Sequence, residues 1–355
     1  MAHQVDYLII GQGLAGSLLG WELMQRGCKI MLVDNQLENA SQVAAGLINP
    51  VTGMRLVKSE DVDYLLPHAL QSYQALGEFF QQDFYIKKPL LRVIRQEKEV
   101  AKYQQRLTDP NYTNFLSPKL QEAPNALIAP RGIIQQQQTG YLSTTRLLSQ
   151  LKAFFQAQGC YQAQQFDYAQ LSFDAESVSW QTIRAKKVIF CEGYQAINNP
   201  WFNYLPFQLA KGEILSLSTE ETLIPEMLNY GRWFIPLTEH QFRIGASFEN
   251  KQLNTQINHE VKEDLLAALF QIYPSLQSAK LEAHQANIRP TTLDKAPFIG
   301  LHPKQPQLAI FNGFGSKGSL QIPFYSAHFA EHLLHNMPLK PQVAIDRVLT
   351  SHSHN

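Results

Sequence analysis

Three glycines and one acid, spaced along the first thirty-four residues, are the part of this chain whose chemistry is easiest to name. The run Gly11-Gln12-Gly13-Leu14-Ala15-Gly16 has the G-x-G-x-x-G spacing, and Asp34 stands eighteen positions after Gly16. In such a turn the first glycine allows a sharp exit from a strand. The second lets a diphosphate approach the backbone, and the third lets the following helix lie close to a sheet. The diphosphate then meets free N–H groups at a helix N-terminus, where the dipole favours an anion. A carboxylate at the tip of the next strand accepts both ribose hydroxyls, which favours a dinucleotide without a 2′-phosphate and speaks against NADP.

The elements needed to position these residues are present around them. Val5-Asp6-Tyr7-Leu8-Ile9-Ile10 is apolar enough for a buried strand. Ser17 to Arg26 reads as a helix stopped by Gly27, and Lys29-Ile30-Met31-Leu32-Val33 reads as a parallel strand ending in Asp34. Met1-Ala2-His3-Gln4 runs straight into the first strand without a basic region or cleavage site, so the segment is read as structure and not as a leader.

Composition narrows the remaining possibilities. A length of 355 residues suits two domains, or one domain with a large insertion. Thirty Lys and Arg balance thirty Asp and Glu, which removes the usual electrostatic footprint of a nucleic-acid binder. No apolar run approaches the roughly twenty residues that span a bilayer. Cys28, Cys160 and Cys191 are far apart and lack metal-ligand spacing. Cys28 and Cys191 adjoin or lie in apolar strands, which reads as buried thiols and fits a reducing cytoplasm. The eleven histidines show neither metal nor triad spacing, and the tail His352-Ser353-His354 reads as solvated surface.

Further along, Val62 to Phe80 has apolar residues at helical spacing, and Phe84 to Ile94 reads as two strands broken at Lys87-Lys88-Pro89. Residues 97–108 read as a polar helix. Residues 109–139, which include Gln135 to Gln138, read as a surface loop with one or two short strands. A helix is expected from about Thr145 to Gln158, with strands at 160–166, 171–173 and 178–183. Lys187-Val188-Ile189-Phe190-Cys191 then reads as a buried parallel strand ending in Glu192-Gly193. Residues 207–248 alternate like antiparallel sheet, and a helix follows from about Gln256 to Ile272. Finally, Leu308 to Phe311 leads into Asn312-Gly313-Phe314-Gly315-Ser316-Lys317-Gly318 and a helix to about His335. This is a second strand–glycine loop–helix unit.

Taken together, the chain resembles the FAD-dependent oxidoreductases of the D-amino-acid oxidase, glycine oxidase and sarcosine oxidase group. The resemblance rests on Gly11 to Asp34, Ala44-Ala45-Gly46, Val188 to Gly193, and Ile288 to Gly318 in their family order. It implies an α/β fold: a Rossmann-like FAD-binding domain interleaved with an antiparallel-sheet substrate domain (α+β). The expected FAD-binding pieces are 1–75, 140–205 and 285–355, with 76–139 and 206–284 forming the substrate domain.

The same resemblance implies roles. Gly11, Gly13, Leu14, Ala15, Gly16, Asp34 and Asn35 would hold the ADP half of FAD, with Glu192 and Gly193 beside it. Ala44, Ala45, Gly46 and Leu47 would lie beside the isoalloxazine ring. Gly313, Phe314, Gly315, Ser316, Lys317 and Gly318 would set N–H groups and a cation against its pyrimidine edge. Arg289, in Ile288-Arg289-Pro290, would hold a substrate carboxylate, and Tyr230, Arg232 and Trp233 would line the substrate side. No catalytic side chain is required, because a neutral amine can pass a hydride to flavin.

The implied reaction is oxidation of the C–N bond of an amino acid or N-substituted glycine, giving an imine that hydrolyses. The stretch Gly315-Ser316-Lys317-Gly318, with Pro323 and Glu331, is similar to the FAD domain of the bifunctional tRNA wobble-uridine modification enzyme. Phe314 stands where relatives often carry His. Removal of a carboxymethyl group from tRNA is therefore one alternative, and a non-catalytic flavin-binding redox sensor is another. A hydroxy-acid dehydrogenase would want a base, for which only His284 lies near Arg289. An NAD-dependent dehydrogenase would share the first motif but leave the second glycine loop unexplained.

Overall fold

The computed structural model describes residues 3–351. The chain divides into two compact units, each assembled from separate stretches. The first comprises residues 1–42, 144–210 and 288–355, and the second residues 43–143 and 211–287. The stretch 43–75, which the sequence suggests for the nucleotide domain, thus belongs with the second unit. Its hairpin and its helix Val62–Phe80 bury Val51, Leu65, Leu66 and Tyr73.

The first unit is built on an eight-stranded sheet. Its centre is parallel: Tyr161–Ala163, Ile30–Asp34, His3–Ile10 and Ile183–Phe190 lie side by side, and Gln305–Asn312 continues beyond them. The register sets Ile10 opposite both Val33 and Phe190, so three strands end level at the Gly11 turn. Such strands are buried on both faces and read as unbroken apolar runs. One face carries the core of Leu8, Ile10, Val188, Phe190, Leu308 and Ile310, closed by Trp180, Phe202 and Phe298. Helix Leu14–Gln25 packs against both Thr144–Ala157 and Gly318–His335. The expected strand 178–183 is two strands: Val178–Trp180 pairs antiparallel with the start of Ile183–Phe190, and Gln181 turns the chain at φ 52°. A short helix, Asp346–Ser351, closes the described chain, and the histidine tail lies outside the described residues.

The second unit holds a seven-stranded sheet in the order Lys280–Arg289, Ala210–Ser218, Gln241–Gly245, Trp233–Pro236, Met227–Asn229, Leu90–Val93, Ile133–Gln136. From Ala210–Ser218 onward the pairing is antiparallel except where Met227–Asn229 runs parallel to Leu90–Val93. Alternation divides the side chains between two faces. Leu91, Val93, Leu228, Phe234, Phe242 and Ile244 form a core with Leu265 and Leu269 of helix His259–Phe270. On the other face Leu90, Met227 and Ile235 pack with Tyr141, and Ala45, Leu47, Ile86 and Trp233 border them. The two strands expected in 84–94 do not pair with each other: Tyr85–Lys87 joins a small sheet with Gly140–Leu142 and Leu47–Ile48, while Leu90–Val93 enters the large one. Ile133–Gln136 is a short strand of the kind expected within 109–139, and its last residue, Gln136, is buried, bonding to Asn49 and to the Val51 carbonyl.

Candidate functional site

In the first unit the Gly11–Gly16 turn sits where three strands end. Gly11 donates to the Val33 carbonyl (2.8 Å), and Cys191 donates to that of Ile10 (2.8 Å). Gly11 has φ 102°, and a Cβ there would lie 2.6 Å from the Cys191 carbonyl oxygen. One on Gly16 would lie 1.9 Å from that of Gly11. These two glycines are therefore required by the protein's own packing. Gly13 is different, because a Cβ there would meet nothing closer than Ser41 Oγ at 3.4 Å, and the space beside it is left for a ligand.

The turn is held by polar anchors. Asp34 Oδ1 accepts the Gln12 N–H (2.8 Å) and its Oδ2 that of Gln36 (2.8 Å), which leaves lone pairs on both oxygens. Gln12 Nε2 donates to Ser17 Oγ and to the Leu148 carbonyl, each at 3.0 Å. Ser41 Oγ accepts the Leu14 N–H (3.0 Å). The N–H groups of Ala15 and Gly16 find no acceptor among the described residues, and the N-cap residue Gly13 has no side chain to supply one. A helix start with two open N–H groups and a glycine-wide gap fits a diphosphate. Asn35 closes the region, donating to Gln165 Oε1 and accepting from Leu37 N–H.

Glu192 follows the strand Ile183–Phe190, and its backbone abuts Gly11. Its carboxyl group is engaged elsewhere: Tyr168 Oη donates to Oε1 (2.5 Å) and Asn199 Nδ2 to Oε2 (2.9 Å). Burial pushes this carboxyl up to about 7, against the pull of those two hydrogen bonds. Gly193, at φ 58°, gives its carbonyl to Asn312 Nδ2 (2.9 Å), which joins this strand end to the start of the second glycine loop.

That loop is anchored from beneath by an aromatic side chain. Phe314 is buried against Phe311 and Tyr325, so the side chain between the two glycines is a packing residue. Gly315 donates to the Pro290 carbonyl (3.1 Å), and a Cβ on Gly313 would strike Thr292 and Phe298. Ser316 and Gly318 keep open N–H groups at the start of helix Gly318–His335, and Lys317 is exposed beside them. Arg289 ends the strand Lys280–Arg289, one residue before that Pro290, and burial lowers the pKa of its guanidinium. The structure therefore brings Arg289 and the second glycine loop together.

In the second unit Ala44–Leu47 packs on the small sheet, with Leu47 paired to Tyr141. Gly46 has φ 68°, and a Cβ there would lie 2.0 Å from the Leu142 carbonyl oxygen. Its small size serves this packing. Arg243 holds the segment through the carbonyls of Val43 (2.7 Å) and Ala44 (3.1 Å). Sequence reasoning misses Arg243, because a lone arginine opposite Phe242 and Ile244 has the pattern of an ordinary solvent-facing strand position.

Tyr230 and Trp233 are separated. Tyr230 lies in the helix-side core, and Trp233 borders the opposite face. Tyr230 is thus a core residue, and no substrate role is retained for it. Arg232 Nη1 contacts the Ala246 carbonyl at 3.4 Å. His284 is no free base either: it is buried with Nε2 2.8 Å from Glu213 Oε2, and Lys211 Nζ lies 3.1 Å from Oε1 of the same carboxylate. Among the described residues no cluster of His, Cys, Asp and Glu could hold a metal ion, and no helix is long and apolar enough to cross a membrane.

Comparison with known proteins agrees with this geometry. Residues 6–332 match the family model described as FAD dependent oxidoreductase. A glycine oxidase of Pseudomonas aeruginosa is 22% identical over 341 residues, which cover 89% of this chain and 91% of that protein. The tRNA 5-methylaminomethyl-2-thiouridine biosynthesis bifunctional protein MnmC of Marinobacter nauticus is also 22% identical, over 92% of this chain but 55% of its own length. The crystal structure of glycine oxidase from Geobacillus kaustophilus superposes with a TM-score of 0.79, covering 95% of this chain and 96% of that one at 20% identity, and so shares the fold.

Proposed function

The chain belongs to the FAD dependent oxidoreductases, and from that premise we propose that it oxidises the C–N bond of an amino acid or an N-substituted glycine. The observation that carries this reading is the hydrogen bond from Gly315 to the Pro290 carbonyl. It ties the residue after Arg289 to the second glycine loop. The first unit fits FAD: Gly11 to Gly16, Asp34 and Asn35 would hold the ADP half. Gly313 to Gly318 would offer N–H groups and Lys317 to the flavin half, and Gly193 would lie between them. FAD, when bound, would supply the two-electron acceptor for the substrate's α-hydrogen as hydride, and the iminium so formed is hydrolysed by water, which also takes up the released proton.

Arg289 would bind the substrate carboxylate through two parallel N–H bonds and so fix the α-carbon. Its burial removes competing water and strengthens that pair. No side chain need take a proton from a neutral amine, which agrees with His284 being committed to Glu213. The second unit's proposed contributions are Ala44–Leu47 to the isoalloxazine ring and Arg232 and Trp233 to the substrate. Arg289→Met should lower kcat/KM for a carboxylated amine by roughly a hundredfold, since loss of a buried charged partner costs about 2–5 kcal/mol. An unchanged KM and kcat in that variant would refute the assignment.

The match to the tRNA-modification protein supports a second reading, oxidative removal of a carboxymethyl group from an aminomethyl-uridine in tRNA. The chain spans about half of that relative. Turnover of a modified tRNA, with glycine and sarcosine inert, would select it.

A further inference from the structure

Buried cations are ordinarily paired with carboxylates, because an isolated charge in the interior is costly. The second unit follows this rule at Arg92, 2.9 Å from Glu99, and at Lys211, 3.1 Å from Glu213. Arg243 does not follow it. Its Nη1 and Nη2 donate to the carbonyls of Ala44 and Val43, and among the described residues no carboxylate pairs with it. Two neutral acceptors leave three of the five guanidinium N–H groups available and the charge uncompensated.

The position is shielded without being sealed. Register places Arg243 between Ser216 and Ile235, on the sheet face bordered by Trp233 and away from the core that takes Phe242 and Ile244. Burial lowers the pKa of the guanidinium, yet the side chain remains partly exposed. A clamp for two carbonyls needs donors and no charge; an amide could supply them. The uncompensated charge therefore calls for an anion that arrives with a ligand.

We propose that Arg243 is a carboxylate-binding residue, pre-oriented by the Val43 and Ala44 carbonyls. The inference rests on the proposed function; Arg289 takes the α-carboxylate there, so the ligand of Arg243 is a further acidic group of the amine substrate. Arg243 would act as a recognition residue, with no part in bond breaking. The planar fork suits a carboxylate, and the low-dielectric surroundings strengthen the pair.

The test is calorimetric titration of the FAD-loaded chain with acetate, and with acetamide as a neutral isostere. Arg243→Gln keeps donors for the two carbonyls but loses the charge, and it should weaken acetate binding about tenfold while leaving acetamide unchanged. Arg243→Lys keeps the charge without the fork and should fall between Gln and wild type. Equal acetate affinity in wild type and Arg243→Gln, at equal FAD content, would overturn the proposal; so would a wild type that binds no acetate. Failure of the underlying reading looks different, as a chain that takes up no FAD or an Arg289→Met variant without effect. Should Arg243→Gln lose FAD, Arg243→Lys decides: acetate affinity equal to wild type would then overturn the proposal.

Discussion

Two strand–glycine loop–helix units stand in the first unit of this protein, and they are fixed by different means. The N-terminal turn is held by polar side chains, with Asp34, Ser41 and Gln12 bonding its backbone. The C-terminal loop adds to its Pro290 and Gly193 hydrogen bonds an apolar plug, Phe314 against Phe311 and Tyr325, with Lys317 left exposed. Both leave N–H groups open at a helix start. Polar anchors fix individual N–H directions, as a diphosphate requires, but they depend on each bond. An aromatic plug fixes the loop as a whole and leaves its outer atoms free to face a ring edge.

The largest effect should come from removing the space the first turn needs. Gly16→Val places side-chain atoms where a single Cβ already comes within 1.9 Å of the Gly11 carbonyl. FAD binding should disappear in an equilibrium titration, and the melting temperature should fall sharply. Next, Phe314→Ala opens a cavity under the second loop and should cost about 3–5 kcal/mol in denaturant unfolding, while Phe314→Leu should cost markedly less. Asp34→Ala is smaller: it removes two backbone anchors and the proposed ribose acceptor, and should weaken FAD binding about ten- to a hundredfold with little loss of stability. Asp34→Ala binding FAD as tightly as wild type would show that the polar anchors are dispensable.

The smallest effect is a pH dependence at Glu192. Burial raises its carboxyl from 4.5 to about 7 in the folded chain, so between those values the native state binds more protons than the unfolded one. Its contribution to stability is therefore lost progressively as pH rises from about 4.5, and the loss is complete above about 7. Glu192→Gln should flatten this part of the stability profile, and identical profiles for the two proteins would contradict it.

What could be read from the sequence divides local patterns from long-range pairing. The Gly11–Asp34 unit and the helix Val62–Phe80 are local patterns, stated by spacing alone, and the structure places that helix at the same residues. The strand Lys280–Arg289 was not read, because His284, Gln285 and Asn287 give it no clean alternation; its pairing with Ala210–Ser218 supplies the order that local sequence lacks. The boundary after residue 42 was hidden for a similar reason. Leu47–Ile48 pairs with Gly140–Leu142, almost a hundred residues away, and only that contact assigns it to the second unit. The need for glycine at 46 is equally non-local, since a Cβ there would meet the Leu142 carbonyl. Tyr230 and Trp233 look adjacent in sequence, yet alternation sends them to opposite faces.

The central claim is that FAD held by the first unit is reduced by a carboxylated amine. The most direct measurement is the visible absorption of the FAD-loaded chain under anaerobic conditions, before and after addition of glycine, sarcosine and a panel of amino acids. Bleaching of the flavin bands by at least one of these amines, slowed in Arg289→Met, is the expected result. Flavin bands that no amine in the panel bleaches would contradict the claim.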